Sequence, residues 1–299
     1  MNDILNTLSF FHILKQPLTL VELVRWKHGA YKSMSEIYTD LQSLIATGKV
    51  IEQEGVYGLS EDWIERRISN DQARNHAWKR IEEFLPTLTA NPYILAVAVA
   101  NSCAFNSMTT RSDIDFFIVT KKNRAWLARL GAALPAKLKK IRPGETERAP
   151  ICLSFFADES ALNMQPYLIE NDIYFAHWAD SLIWIYDQKN IYASFKEQNS
   201  WAQEILKRPL NSSFIPFKQK KGITSKIFSL VDSDASEKFV REKQKNIMPK
   251  VLQLENEQPG SAVVLGDHII KMHLDDRRSQ ITEQYEQHMV MPETEKIYA

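Results

Sequence analysis

Ala100-Asn101-Ser102-Cys103-Ala104-Phe105-Asn106-Ser107-Met108-Thr109-Thr110-Arg111-Ser112-Asp113-Ile114-Asp115, continuing as Phe116-Phe117-Ile118-Val119, is the stretch on which the reading of this chain turns. Before it, Tyr93 to Ala100 is an eight-residue apolar run, the length of a buried strand and far short of the roughly 20 residues that span a bilayer. After it comes a second apolar strand that opens with two acids around one isoleucine. Side chains alternate along a strand, so Asp113 and Asp115 are expected on one face. Two neighbouring carboxylates repel each other unless a cation lies between them. Hard oxygen ligands suit Mg²⁺, which takes one or two carboxylates and completes its shell with water and phosphate oxygens. Ser102, at the end of the first strand, adds a hydroxyl where a phosphate could approach.

Further strands and helices are expected on either side. Ile151 to Phe156 reads as a third buried strand, and Leu182 to Tyr186 as a fourth strand or a helix end. Arg124 to Lys140 reads as a helix, and the chain from about Ser194 onward as mostly helical. Upstream, Glu61 to Leu88 reads as one long helix with Trp63, Ile64, Ile68, Trp78, Ile81, Phe84 and Leu85 buried. Residues 1–60 form three helices and a hairpin. Thr19 with Glu22 makes a capping-box pattern, Ser33 opens the third helix, and Glu54-Gly55 turns the hairpin. That order is a winged helix-turn-helix. The expected class is therefore α+β: a winged helix (1–60), a mixed-sheet domain (61–195) and a helical C-terminal region (196–299).

Composition narrows the function. The chain has 299 residues with 37 basic and 37 acidic side chains, so the neutral total argues against a surface coated with phosphate contacts. From Tyr31 to Leu59, Lys32 and Lys49 face Glu36, Asp40, Glu52 and Glu54, which disfavours DNA as the partner of the third helix. Phe214 to Lys250 is locally basic, with nine Lys/Arg against four Asp/Glu, and reads as a solvated face. None of the nine glycines forms a G-x-G-x-x-G or Walker-type loop. Two cysteines, Cys103 and Cys152, build neither a disulfide framework nor a zinc site and fit a reducing cytoplasm. No signal peptide or membrane span is expected.

The strand, the Asn101-Ser102 pair and the Ser112-Asp113-Ile114-Asp115 run together resemble the nucleotidyltransferase (DNA polymerase β-like) superfamily. The order of elements is similar to that of bacterial nucleotidyltransferase-domain proteins with an N-terminal winged helix. Trp126-Leu127-Ala128-Arg129, Asp172 to His177 and Met272 to Arg277 add weaker likenesses. The resemblance implies that Asp113 and Asp115 are catalytic, metal-binding carboxylates, and that Asn101, Ser102 and Ser112 contact an NTP. It also implies that Mg²⁺ ions assist transfer of NMP to an acceptor, which could be RNA, a protein or a small molecule. Asn101 stands where the superfamily has Gly. Its third acid falls on Ser154, with Asp158 expected beyond the strand. A catalytically inactive nucleotide-binding protein, using the winged helix on DNA or a partner, is the alternative. His273 and Asp276, at i, i+3 spacing, would share a helix face, whereas His177 and Trp178 read as core.

Overall fold

The computed structural model describes residues 2–147, 149–217, 228 and 231–290, with the side chains of 68, 69, 289 and 290 outside the description. The side chain of Ile68 and most of the Lys-rich part of the basic stretch (218–227, 229 and 230) therefore lie outside the description.

The first unit comprises α1 (Asn2–Ile13), β1 (Leu18–Thr19), α2 (Leu20–Trp26), α3 (Met34–Ala46), β2 (Ile51–Gln53) and β3 (Val56–Gly58). Both helix starts obey local rules. Thr19 and Glu22 at α2, and Ser33 and Glu36 at α3, exchange reciprocal side-chain-to-backbone bonds, which satisfies donors left open in a first turn. The second helix ends at Trp26, because Lys27 leaves helical geometry (φ −53°, ψ 128°). Glu54 and Gly55 both have positive φ (54° and 78°), as a tight two-residue hairpin turn requires. The two-residue β1, too short to read from pattern, pairs with β3 and gives the order β1-β3-β2.

The expected helix from Glu61 to Leu88 is instead two, α4 (Glu61–Glu65) and α5 (Arg67–Thr89), separated at Arg66. Arg67 is buried and donates to the Pro17 carbonyl (2.8 Å), Glu22 (2.8 Å) and Asp71 (3.1 Å). Asn106 donates to Glu22 (3.1 Å) and Asp71 (3.0 Å) from the loop after β4, so this network ties the first unit to that loop. Burial works against the Glu22 carboxylate, but the Arg67 guanidinium outweighs it and leaves its pKa below the usual range. Arg67→Leu would leave both acids without their cation, and urea denaturation should report a loss of about 3 kcal/mol.

The rest of the chain builds a seven-stranded mixed sheet. In chain order it contains β4 (Ile94–Ala100), α6 (Asn101–Ala104), β5 (Ile114–Thr120), α7 (Ala125–Leu138), β6 (Ile151–Asp158), α8 (Ile173–Ser181) and β7 (Ile183–Asp187). Then come α9 (Ile191–Gln198), α10 (Trp201–Leu206), β8 (Ser213–Phe214), α11 (Asp234–Ile247), α12 (Lys250–Asn256), β9 (Val264–Leu265), β10 (Ile269–Lys271) and α13 (Arg278–Val290). The sheet order is β8-β7-β4-β5-β6-β10-β9. β5 runs parallel to β6 and β7 parallel to β8, and the other pairs are antiparallel. The fold class is thus α+β. Residues 183–187 are a strand, and the region after Ser194 is not simply helical: it supplies β8, β9 and β10 to the central sheet.

Both faces of the sheet are covered. On one, Phe117, Phe155 and Trp178 join Phe10, Phe11 and Trp26 of the first unit in a continuous apolar cluster. On the other, Val97, Phe116 and Phe156 pack with Ile81, Phe84 and Trp126 of α5 and α7. His177 of α8 is core, as expected, and stacks on Phe10 with ring centroids 3.9 Å apart. Its Nε2 lies 2.6 Å from Nε2 of His28, whose Nδ1 is 3.2 Å from the Tyr285 hydroxyl of α13. Among the described residues no helix is long and apolar enough to cross a membrane.

Candidate functional site

Four strand ends converge. Ala100 pairs with Asp115, and Asp115 with Cys152, so the end of β4 and the starts of β5 and β6 lie side by side. β10 then runs antiparallel to β6, and the Met272 amide donates to the Ser154 carbonyl (3.0 Å), which brings the following His273 to the same end.

Asn101 makes the bend out of β4 with φ +51°, a left-handed conformation that favours Gly and is tolerated by Asn. Asparagine is thus compatible with the backbone at the position where the resemblance implies Gly. Its side chain is also used. The Tyr174 hydroxyl donates to Asn101 Oδ1 at 3.5 Å, and the Asn101 amide hydrogen-bonds Asp115. Asn101→Ala loses that bond and puts an ordinary L-residue in the left-handed region. Chemical denaturation should show a cost of about 1–2 kcal/mol, with Asn101→Gly recovering part of it.

Asp115 is half-buried, and its pKa is pushed up to about 6. Burial is the main cause and repulsion from Asp113 adds to it, while hydrogen bonds from Asn101 and the Cys152 thiol oppose it. Asp113 is also raised, by burial. Among the described residues, no lysine, arginine or histidine forms an ion pair with either carboxylate. Asp113 does not lie within the strand as expected. It precedes Ile114 and lines a cleft with Gln72 and His76 of α5 and with Thr109 and Arg111. Asn101 and Ser102 line a different cavity, of about 390 Å³, together with Tyr174, Lys271 and His273. Ser112 lines neither: its Oγ accepts from the Thr109 amide (3.0 Å) and closes a turn in the loop before β5.

The position to which the nucleotidyltransferase resemblance assigns a third acid holds no carboxylate. Cys152 is the residue paired with Asp115, and its Sγ lies 3.2 Å from Ser154 Oγ. Asp158 was expected beyond the strand but is its last residue. It pairs across from Thr120 at the far end of the sheet and is occupied by Asn123, Ser160 and His268. Among the described residues no group of three or more His, Cys, Asp or Glu is placed to hold a metal ion.

His273 and Asp276 do not share a helix face, because residues 272–277 form the turn between β10 and α13. Asp276 accepts from Arg278, whereas His273 Nε2 lies 3.1 Å from Ser154 Oγ. Burial pushes the His273 pKa down to about 4. The sequence reading named the segments that hold Tyr174 and His273 only as weak likenesses and placed neither, nor Lys271, at this site. A further clue was the period-two polarity of Cys152 and Ser154 in an otherwise apolar strand. No protein-family model matches the chain, and neither the curated proteins nor the solved structures give a match.

Proposed function

We propose that the chain is a Mg²⁺-dependent nucleotidyltransferase that moves NMP from an NTP to an acceptor hydroxyl. The observation that carries this reading is the Asp113–Asp115 pair: two neighbouring, partly desolvated carboxylates without a cationic partner among the described residues, beside a left-handed Asn101 and Ser102. The order α1-β1-α2-α3-β2-β3, with β3 between β1 and β2, supports a winged helix as the N-terminal unit. Its third helix carries Glu36 and Asp40, the latter 2.5 Å from Lys32, which favours a protein surface over DNA as its partner.

The donor set fits one hard cation. Mg²⁺ would relieve the burial and mutual repulsion that raise the pKa values of the two carboxylates, and substrate phosphates with water would complete the shell. It does not fit a second cation, because Cys152 and Ser154 stand in place of a third acid. Asp113 and Asp115 would hold the ion, which when bound neutralises charge on the triphosphate. The chain's own residues do the positioning. Asn101 braces Asp115 and is itself braced by Tyr174, while its left-handed bend directs Ser102 toward the cavity.

The missing third carboxylate favours a second reading, a nucleotide-binding protein without turnover. Incubation with each α-labelled NTP, Mg²⁺ and small hydroxyl compounds separates the two. Labelled product that disappears in Asp115→Asn supports transfer. Calorimetric binding of Mg²⁺–NTP without any labelled product supports the second reading, and no binding removes both.

A further inference from the structure

In the transferase reading the nucleotide lies on the side of Asn101 and Ser102, which leaves the acceptor the side of Asp113. The two sides open into different recesses that have no lining residue in common. We propose that the larger recess, the cleft of about 910 Å³ that Asp113 lines, is the acceptor subsite and takes a neutral, sugar-like polyol. This rests on the transferase reading and goes beyond it by naming where the acceptor binds and its chemical class.

The cleft reaches the carboxylate pair directly. Asp113, half-buried, stands in its wall, and the amide of Ile114, between the two acids, donates to the carbonyl of Pro150, another lining residue (2.8 Å). A molecule seated in the cleft therefore lies against Asp113. Local structure fixes three walls. One face of α5 contributes Gln72, Ala73 and His76. Ser112 Oγ accepts from the Thr109 amide (3.0 Å) and so holds the turn that carries Thr110 and Arg111. The Glu145 amide donates to the Arg142 carbonyl (2.9 Å) and the Arg142 amide to the Glu145 carboxylate (3.1 Å), which fixes the turn before Thr146 and Glu147.

The lining sets the class of acceptor. Gln72, His76, Thr110, Arg111, Thr146 and Glu147 supply both donors and acceptors, and their side chains make no hydrogen bond or ion pair among the described residues. A polyol hydroxyl both donates and accepts, so it matches a mixed set of this kind. A nucleic-acid end matches it poorly, since bases are held on aromatic faces and phosphates by Lys and Arg. Among the described residues the cleft is lined by no Phe, Tyr or Trp, and by one such cation, Arg111, against Asp113 and Glu147. Its volume lies toward the upper end of ordinary small-molecule sites, with room for more than one sugar ring. The transfer balances there without a protein base. The acceptor oxygen forms its bond to the α-phosphorus while the bond from that phosphorus to the bridging oxygen breaks, and pyrophosphate leaves with the electron pair. The hydroxyl proton passes to water in the open cleft.

The test uses the whole chain, with sucrose, trehalose, maltotriose and raffinose as probes. Saturation-transfer NMR reads their binding in the absence of nucleotide and metal, and at least one should bind. The same sugar should become labelled when α-labelled NTP and Mg²⁺ are added. Gln72→Trp, at an exposed position of α5, should raise that sugar's KM at least about 10-fold, with kcat at saturating sugar falling less than about three-fold. Thr146→Trp, from another wall, should repeat the effect on KM, and melting temperatures check that each variant folds. Absence of binding by all four sugars, or binding that both Trp variants leave unchanged, would overturn the proposal. So would transfer to a uridine oligonucleotide in preference to the sugars. Release of NMP by wild type, or its transfer to glycerol, without any sugar product refutes the proposal and leaves the transferase reading intact. If wild type neither releases nor transfers NMP from any NTP, the transferase reading fails and takes the acceptor role with it.

Discussion

Asp115→Asn is expected to abolish nucleotidyl transfer and, in the same protein, to raise the melting temperature. The first effect follows from removing one of the two carboxylates that would hold the cation, with an expected loss of at least about 1,000-fold in labelled product. The second follows from burial. The folded-state pKa of Asp115 is about 6 against an ordinary 3.8, so folding binds its proton more tightly than the unfolded chain does. A raised carboxyl pKa adds stability below pH 3.8 and loses it as pH rises through 6. At pH 7 the charged form is therefore a liability. Discounted for partial exposure, asparagine should recover about 1–2 kcal/mol, or about 2–5 °C in a chain of this size. A carboxylate kept for structure would show the reverse, so a variant both inactive and less stable counts against the assignment. Calorimetry or a thermal-shift series with Mg²⁺ and NTP should show stabilisation of wild type and none of the variant.

Mild acid should weaken the fold steeply, through His28 and His177. Both are buried and held neutral. Burial pushes the His28 pKa down to about 3, with Arg208, Lys27 and Lys207 adding to it, and lowers His177 well below its usual value, with His28 next in effect. The unfolded chain binds these protons near pH 6.5 and the folded chain does not, so their contribution is complete above 6.5 and shrinks as pH falls below it. Each contributes about 1.4 kcal/mol per pH unit. His273 adds a third such proton until about pH 4, while Asp115 works in the opposite direction between 6 and 3.8. For these four groups the net of about two protons predicts a fall of about 2.7 kcal/mol per unit between pH 6 and 4.5. Urea melts at pH 7, 6 and 5 measure it directly. His177→Phe removes one of those protons and keeps a ring against Phe10, so its slope should be shallower by about 1.4 kcal/mol per unit. An unchanged slope would place the acid sensitivity elsewhere.

Local chemistry was the legible part of this fold. The caps at Thr19 and Ser33 and the Glu54-Gly55 turn depend on residues within three or four positions of each other, and they form where the sequence places them. The β4–Asn101–β5 passage was legible for the same reason, since an apolar strand, a residue tolerant of positive φ and a second apolar strand are all read along the chain. Four of the strands of two or three residues were not. β1, β8, β9 and β10 exist because a longer neighbour offers them a ladder, and nothing in their own composition announces it. The same limit governed the candidate site. Asp113 could be read as a carboxylate, yet its place before the strand and its separate cleft depend on how the loop from Phe105 closes through Ser112 and Asn106. His273 reaches Ser154 across more than a hundred residues of sequence, and only the antiparallel pairing of β10 with β6 brings them together.

That late pairing also bears on how the chain is made. About 110 residues separate Asp158 at the end of β6 from Ile269 at the start of β10. At about 5–20 residues per second, a ribosome leaves the outer edge of β6 bare for about 5–20 seconds after that strand emerges. The segment Ile151-Cys152-Leu153-Ser154-Phe155-Phe156 is apolar, without charge or proline, the kind of edge that invites a stray strand from another chain. Newborn copies on one polysome would be the nearest source of such a strand, so β10 acts as a guard against mispairing that arrives last.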